Sequence, residues 1–266
     1  MNSKPLVLSE AAIHRKKGIN DSPSGQIASK RSVEIHHTPR GRTNGFYARW
    51  KRVMDVGLSL VLLIPALPIM VIAGLLVRLT SRGPAIYVQD RLGRHGKPFR
   101  IYKIRTMIDN CESLTGPRWA MPGDPRITPI GSILRATHID ELPQLWNVIR
   151  GDMSLIGPRP ERPEIVESLR ADLPNYDDRL AVRPGITGLA QVQLPPDSSV
   201  STAADKLVLD RAYIQRLGPW LDLRLLVCTA LKFLGIGPSG CRWLIRDAIP
   251  PGFRPGANLP RASRAA

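Results

Sequence analysis

The chain has 266 residues, enough for one or two domains with a sizeable core. Its formal charge of +16 is concentrated in two blocks: residues 1–54 hold 11 Lys/Arg against 3 acids, residues 78–105 hold 8 against 1, and the remainder is nearly neutral. Aromatics make up only 5%, which speaks against a nucleic-acid binder that stacks bases beside a basic face, and three cysteines without a C-x-x-C pair speak against a disulfide framework or a zinc site.

Residues 1–45 mix charge with Ser, Gly and Pro without a sustained period, which predicts a disordered basic arm. Phe46 to Asp55 reads as an amphipathic lead-in, with Tyr47 and Trp50 among Arg49, Lys51 and Arg52, a mixture suited to a lipid headgroup layer. Val56 to Val77 runs for 22 residues without a charge. As a straight helix it reaches about 33 Å, close to the hydrocarbon thickness of a bilayer. It starts too far from Met1 for a signal peptide, and no small-residue cleavage site follows. A spanning helix and a re-entrant helix both fit its length, with a buried core helix third. The basic flanks on both sides favour the re-entrant form, because both can then stay cytoplasmic. Pro65 and Pro68 supply a bend midway.

Ser81-Arg-Gly-Pro84 predicts a turn. Two short β-rich segments, Ala85–Gln89 and Phe99–Ile104, flank a basic turn and predict a hairpin just outside the membrane. Residues 109–131 read as loop. Helices are expected over Ile133–Arg150 despite Pro143, over Glu161–Leu169 and over Ala204–Leu217. Pro219–Leu234 is amphipathic, too short for a comfortable span, and suited to the interface. Residues 236–266, rich in Pro and Arg beyond Pro250, are expected to form a mostly disordered tail.

Candidate chemistry centres on Asp140-Glu141. Adjacent acids repel, and nearby arginines such as Arg135 can hold them ionised. The bland alternative is an acidic first turn of a helix. Downstream, Gly151-Asp-Met-Ser-Leu-Ile-Gly-Pro-Arg159-Pro160 presents one guanidinium on a stiff backbone, a form suited to a phosphate or diphosphate. A carboxylate can attack phosphorus, and a divalent cation can neutralise the charge that develops. Hard oxygen ligands and the lack of a His/Cys cluster point to Mg²⁺. Lys103 and Arg105 could contact phosphate, or belong to a solvated basic strand. In Arg183-Pro-Gly-Ile-Thr-Gly188 the glycines allow close approach to a ligand or serve a structural turn. Asp205 and Asp210 lie on an expected helix, where solvated acids are the default; His95 and His138 are given no catalytic role.

Taken together, these blocks resemble the bacterial sugar transferase family, the monotopic phosphoglycosyl transferases, from about Arg49 to Leu234. The matching segments are Lys51-Arg52-x-x-Asp55, Ser81-Arg-Gly-Pro84, Gln89-Asp-Arg91-x-Gly93-x-x-Gly96-Lys97-x-Phe99 and Lys103-x-Arg105-Thr-Met107. They continue with Asp124-Pro-Arg126-x-Thr128-x-x-Gly131, Asp140-Glu-Leu-Pro-Gln144 through Pro160, and Arg183-Pro-Gly-Ile-Thr-Gly188-Leu-Ala-Gln191. Asp90 stands where Glu is usual and Ile104 where Phe is usual, neither at the dyad.

The resemblance implies an α-dominant mixed α/β fold in a transferase domain at 46–235. Its parts are a Pro-broken re-entrant helix at 56–77 in a monotopic membrane protein, interfacial amphipathic helices, and a small cytosolic α/β portion. It implies ping-pong transfer of a sugar-1-phosphate from a nucleotide diphosphate sugar, a UDP-sugar, to polyprenyl (undecaprenyl) phosphate, initiating exopolysaccharide or other envelope glycan synthesis. By position Asp140 would be the nucleophile and Glu141, with Asp140 beside it, the Mg²⁺ ligand. Arg159-Pro160 would lie on the nucleotide side, with Lys103, Arg135 and Asp210 as further substrate-binding residues. The implied setting is the bacterial inner membrane with the site facing the cytoplasm. Membrane lipids and the two substrates are the expected partners, nucleic acid is not, and a homodimer is left open. A second reading, an inactive membrane-anchored polybasic scaffold, is opposed by the intact dyad.

Overall fold

The computed structural model describes residues 45–255 except 114–115, 117–118, 120, 122 and 196–198, so the N-terminal arm lies outside the described residues. Helix α1 runs from Gly45 to Thr80, absorbing the amphipathic lead-in. The backbone stays helical through Pro65 and Pro68, where the sequence reading expects a break. A proline removes one donor and bends a helix, and the turns around it keep their own bonds. Among the described residues α1 alone is long and apolar enough to cross a membrane by length and composition.

Only a narrow stripe of α1 is buried: Asp55, Ser59, Ala66, Ala73 and Val77, spaced by four or seven residues as one helix face. Leu60, Ile64, Ile72 and Leu79 on other faces are exposed. Both ends of the stripe pack on the same body. At the first end Arg52 donates to the carbonyls of Val148 and Ile149, and Asp55 accepts from Ser154 Oγ at 2.7 Å and from the Leu155 amide at 3.3 Å. At the second, Ala73 and Val77 pack with Ile104 and Leu134.

Strands β1 (Ile86–Leu92) and β2 (Pro98–Ile104) form the expected antiparallel hairpin, Ile86 opposite Ile104. The single helix expected over 133–150 is three pieces: α2 (Pro129–Ala136), a 3-10 turn (Ile139–Glu141) and α3 (Gln144–Arg150). His138 adopts a left-handed conformation (φ 55°), and Pro143, lacking an N–H, starts a new helix instead of continuing the old one.

Strand β3 (Ser154–Ile156) then pairs in parallel with β4 (Gly185–Thr187), a pairing absent from the sequence reading. The close approach that glycine permits is between chain segments here, since a Cβ on Gly185 would lie 2.0 Å from the Gly157 nitrogen. Between these strands lies α4 (Pro163–Asp172), and α5 (Leu189–Gln193), α6 (Val200–Gln215), α7 (Pro219–Phe233) and α8 (Pro238–Cys241) follow. The main core gathers Val148, Met153, Leu209, Leu225 and Cys228. It also takes in Cys241, Ile245, Ala248 and Ile249, so this stretch of the expected disordered tail is packed. Residues 256–266 lie outside the described residues.

Candidate active site

The dyad is held by the break in the helical run. Thr128 caps α2, accepting from the Gly131 amide at 2.9 Å, with Pro129 in the first turn. After the left-handed His138, the tight turn presents Asp140 and Glu141 together. On its far side, the buried Asn147 ties α3 to β2: its Oδ1 accepts from the Tyr102 amide at 3.2 Å and its Nδ2 donates to the Arg100 carbonyl at 2.7 Å. This pairing brings Lys103, on β2, to Glu141, where Nζ donates to Oε1 at 2.9 Å.

Arg159 arrives from the chain after β3 and donates to the same Glu141 oxygen at 2.5 Å. Its backbone is gripped from behind. Arg179 donates to the Arg159 carbonyl at 2.9 Å and pairs with Asp210 at 2.8 Å, while Arg91 donates to the Pro160 carbonyl at 3.1 Å and pairs with Glu161 at 3.5 Å. Arg135 donates to Thr106 Oγ1 at 2.8 Å and faces Asp140 electrostatically.

The neighbouring carboxyls are driven in opposite directions. Burial raises Asp140 from 3.8 to about 6, against the pull of Lys103, Arg159 and Arg135 and with help from Glu141. Burial also pushes Glu141 up, but Arg159 and Lys103 together overcome it and hold this carboxyl well below its usual range. Arg159 and Lys103 thus keep Glu141 ionised, whereas Asp140, which the sequence reading also expects the arginines to hold ionised, is raised to about 6 by burial despite Arg135 and Arg159. Among the described residues none donates a hydrogen bond to the Asp140 carboxylate, and its residue is 7% exposed. An ionised, poorly solvated carboxylate is a strong nucleophile, and one with a pKa near 6 is available at neutral pH.

Of the residues singled out in the sequence, Asp140, Glu141, Lys103 and Arg159 meet, and Arg135 borders them. Asp210 does not reach the site: it is 1% exposed and stands behind Arg159 through Arg179. Asp205 is likewise buried, not solvated. Arg105 is spent on the carbonyls of Ser81, Gly83 and Pro84, fastening the hairpin to the turn after α1. Arg179 stands outside every motif, and Arg91 and Thr106 stand in matching segments with no role attached, because the roles of all three arise from tertiary partners. Among the described residues no group of three or more His, Cys, Asp or Glu could hold a metal. Mg²⁺ commonly takes one or two protein carboxylates and completes its shell with water and substrate phosphates, but both Glu141 oxygens here are bonded by Lys103 or Arg159, which would have to yield to admit an ion.

A family profile described as bacterial sugar transferase matches residues 46–235. The chain belongs to that family and is an enzyme of its transferase class. A UDP-glucose:undecaprenyl-phosphate glucose-1-phosphate transferase of Caulobacter vibrioides is 43% identical over 188 residues, 69% of each chain. The UDP-N-acetylgalactosamine-undecaprenyl-phosphate N-acetylgalactosaminephosphotransferase of Aeromonas hydrophila is 37% identical over 230 residues, 85% of this chain and 53% of that protein. Exopolysaccharide production protein PSS of Rhizobium leguminosarum bv. phaseoli is 36% identical over 196 residues, 70% of this chain and 96% of its own length. The chain therefore spans about half of the Aeromonas relative and nearly all of the Rhizobium one.

Proposed function

We propose that this enzyme transfers a sugar-1-phosphate from a UDP-sugar to undecaprenyl phosphate through a covalent ester on Asp140, at the start of exopolysaccharide synthesis. The names of the Aeromonas and Caulobacter relatives supply the substrate classes, and that of the Rhizobium relative supplies the exopolysaccharide. The observation that carries the mechanism is the split dyad: one carboxyl bonded by two cations, its neighbour buried and, among the described residues, without a donor.

An Asp140 oxygen attacks the phosphorus that bears the sugar. The diphosphate P–O bond breaks, and the nucleoside monophosphate leaves with the electron pair. A phosphate oxygen of the lipid acceptor then attacks the same phosphorus, the bond to Asp140 breaks, and the carboxylate is restored as the new diphosphate forms. Lys103 and Arg159 stand where negative charge develops and stabilise it in place of water. Asp140 and Glu141 would hold Mg²⁺, which supplies Lewis-acid neutralisation of the transferring phosphoryl group.

The packing of one stripe of α1, from Asp55 through Ala66 to Val77, on a single body while its other apolar faces are exposed supports a re-entrant course that keeps both basic flanks on the cytoplasmic face. A spanning helix would need that body on both sides of the membrane. The test is a labelled donor supplied without acceptor. One equivalent of nucleoside monophosphate should be released, and the label should appear on Asp140. Product formation with no adduct on that side chain would reject the mechanism.

A further inference from the structure

Lys232 continues the buried face of α7. Leu221, Leu225 and Cys228 are buried, and position 232 extends their i, i+4, i+7, i+11 spacing one turn beyond the core. The helix therefore aims this ammonium at the edge of the catalytic body. Its Nζ donates to the Gln191 carbonyl at 2.9 Å, and the Gln191 amide donates to the carbonyl of Gly157, two residues before Arg159, at 3.2 Å. Arg159 and Glu141 both lie close enough to act on it electrostatically. Lys103 and Arg159 both pair with Glu141, whereas among the described residues no carboxylate lies within ion-pair distance of Lys232.

The next residue, Phe233, meets the ring of His138 edge-on at 5.6 Å, and His138 is two residues before Asp140. Phe233 is 60% exposed and Leu234 78%, and the outer stripe of α7 exposes Trp220, Leu223 and Val227. Within one turn of chain, a cation in electrostatic reach of Glu141 and Arg159 adjoins apolar side chains continuous with an outward apolar stripe. A nucleotide sugar is polar at both ends and has no use for such a lip. An amphiphile with a phosphate at one end matches both halves.

Resting on the transfer reaction proposed above, we infer that Lys232 receives the phosphate of the polyprenyl phosphate acceptor, with Phe233 and His138 forming the lip over which its chain runs to the bilayer. The acceptor step brings one anion against another, and a cation between them lowers that repulsion where water is scarce.

The two half-reactions separate this inference from the reading beneath it. The full-length protein, in nanodiscs of fixed phosphatidylglycerol content, is charged with labelled UDP-sugar and then discharged with increasing undecaprenyl phosphate. Lys232→Gln should raise the acceptor KM about tenfold, as expected for losing one charge-assisted phosphate contact. It should leave the size of the nucleotide burst intact, and Lys232→Arg should recover most of the loss. An unchanged acceptor KM, or a burst reduced as much as discharge, would overturn the role of Lys232. Weaker partitioning of the Gln variant into phosphatidylglycerol vesicles, matching its loss of activity, would mean that Lys232 reads bulk headgroups and would also overturn it. A wild-type protein that makes product without a burst or adduct would instead remove the covalent mechanism on which the inference stands.

Discussion

Two buried clusters of this protein use the same ingredients to opposite ends. At the base of α1, Asp222 accepts from Lys51 and Tyr47, each at 2.7 Å, and from Tyr213 at 2.9 Å, while Asp55 alongside accepts from Ser154. At the dyad, Glu141 is bonded in the same manner, but among the described residues Asp140 has no donor, and burial raises its pKa to about 6. A fully bonded carboxylate is a fastener; a buried one with open lone pairs is a reagent. Acidity and burial alone do not tell them apart. The count of donors does.

The sharpest way to break this contrast is to neutralise each acid in turn. Asp140→Asn should lower transfer by about a thousandfold or more, because the amide cannot form the ester, with the protein still folded and membrane-bound. Turnover in a purified nanodisc assay checks this. Asp222→Ala should do the reverse: it takes from Lys51 its 2.7 Å partner, leaving only the looser Asp55 contact at 3.6 Å, and costs about 3 kcal/mol of stability, read as a lowered denaturation midpoint, while activity per folded molecule is retained. Equal effects of the two changes on turnover would erase the distinction between fastener and reagent.

The pH response sharpens the comparison next. In the proposed mechanism Asp140 attacks as the carboxylate; with its carboxyl raised to about 6 in the fold, kcat/KM should fall about tenfold per unit as pH drops below 6 and level off above it. The sign for stability is opposite. A carboxyl raised above its usual 3.8 binds a proton more tightly in the folded state, so stability declines as pH rises from about 4 to 6. Asp140→Asn removes that ionisation cost and should melt a few degrees higher than wild type at pH 7. The smallest effect is expected from Tyr47→Phe. It removes one of three donors to Asp222, costs about 1 kcal/mol in thermal unfolding, and leaves turnover unchanged.

Much of this was legible in the chain. The hairpin followed from two β-rich segments around a basic turn, and the dyad with Lys103 and Arg159 followed from motif blocks that the structure gathers at one place. The rest depends on partners that local pattern does not name. The β3–β4 pair has three residues per strand, too few to show a period. Asp210 looks like any helix acid until Arg179, 31 positions earlier, is folded against it. Cys241, Ile245, Ala248 and Ile249 do carry the spacing of a helix face, but neighbouring arginines and Pro250 mask it. The turn bearing the dyad reads as helix unless Pro143 is given full weight.

The two attachment points of α1 turn the apolar segment into a measured strut. Asp55 and Val77 lie on one face because the number of residues between them is right, and each residue added or removed swings one end by about 100° relative to the other. The outward side chains Leu60, Ile64 and Ile72 are exposed and can be respelled in apolar letters. A single-residue insertion between Pro68 and Ala73 should do what no apolar replacement there does: either the base cluster or the Ile104–Leu134 contact must be given up.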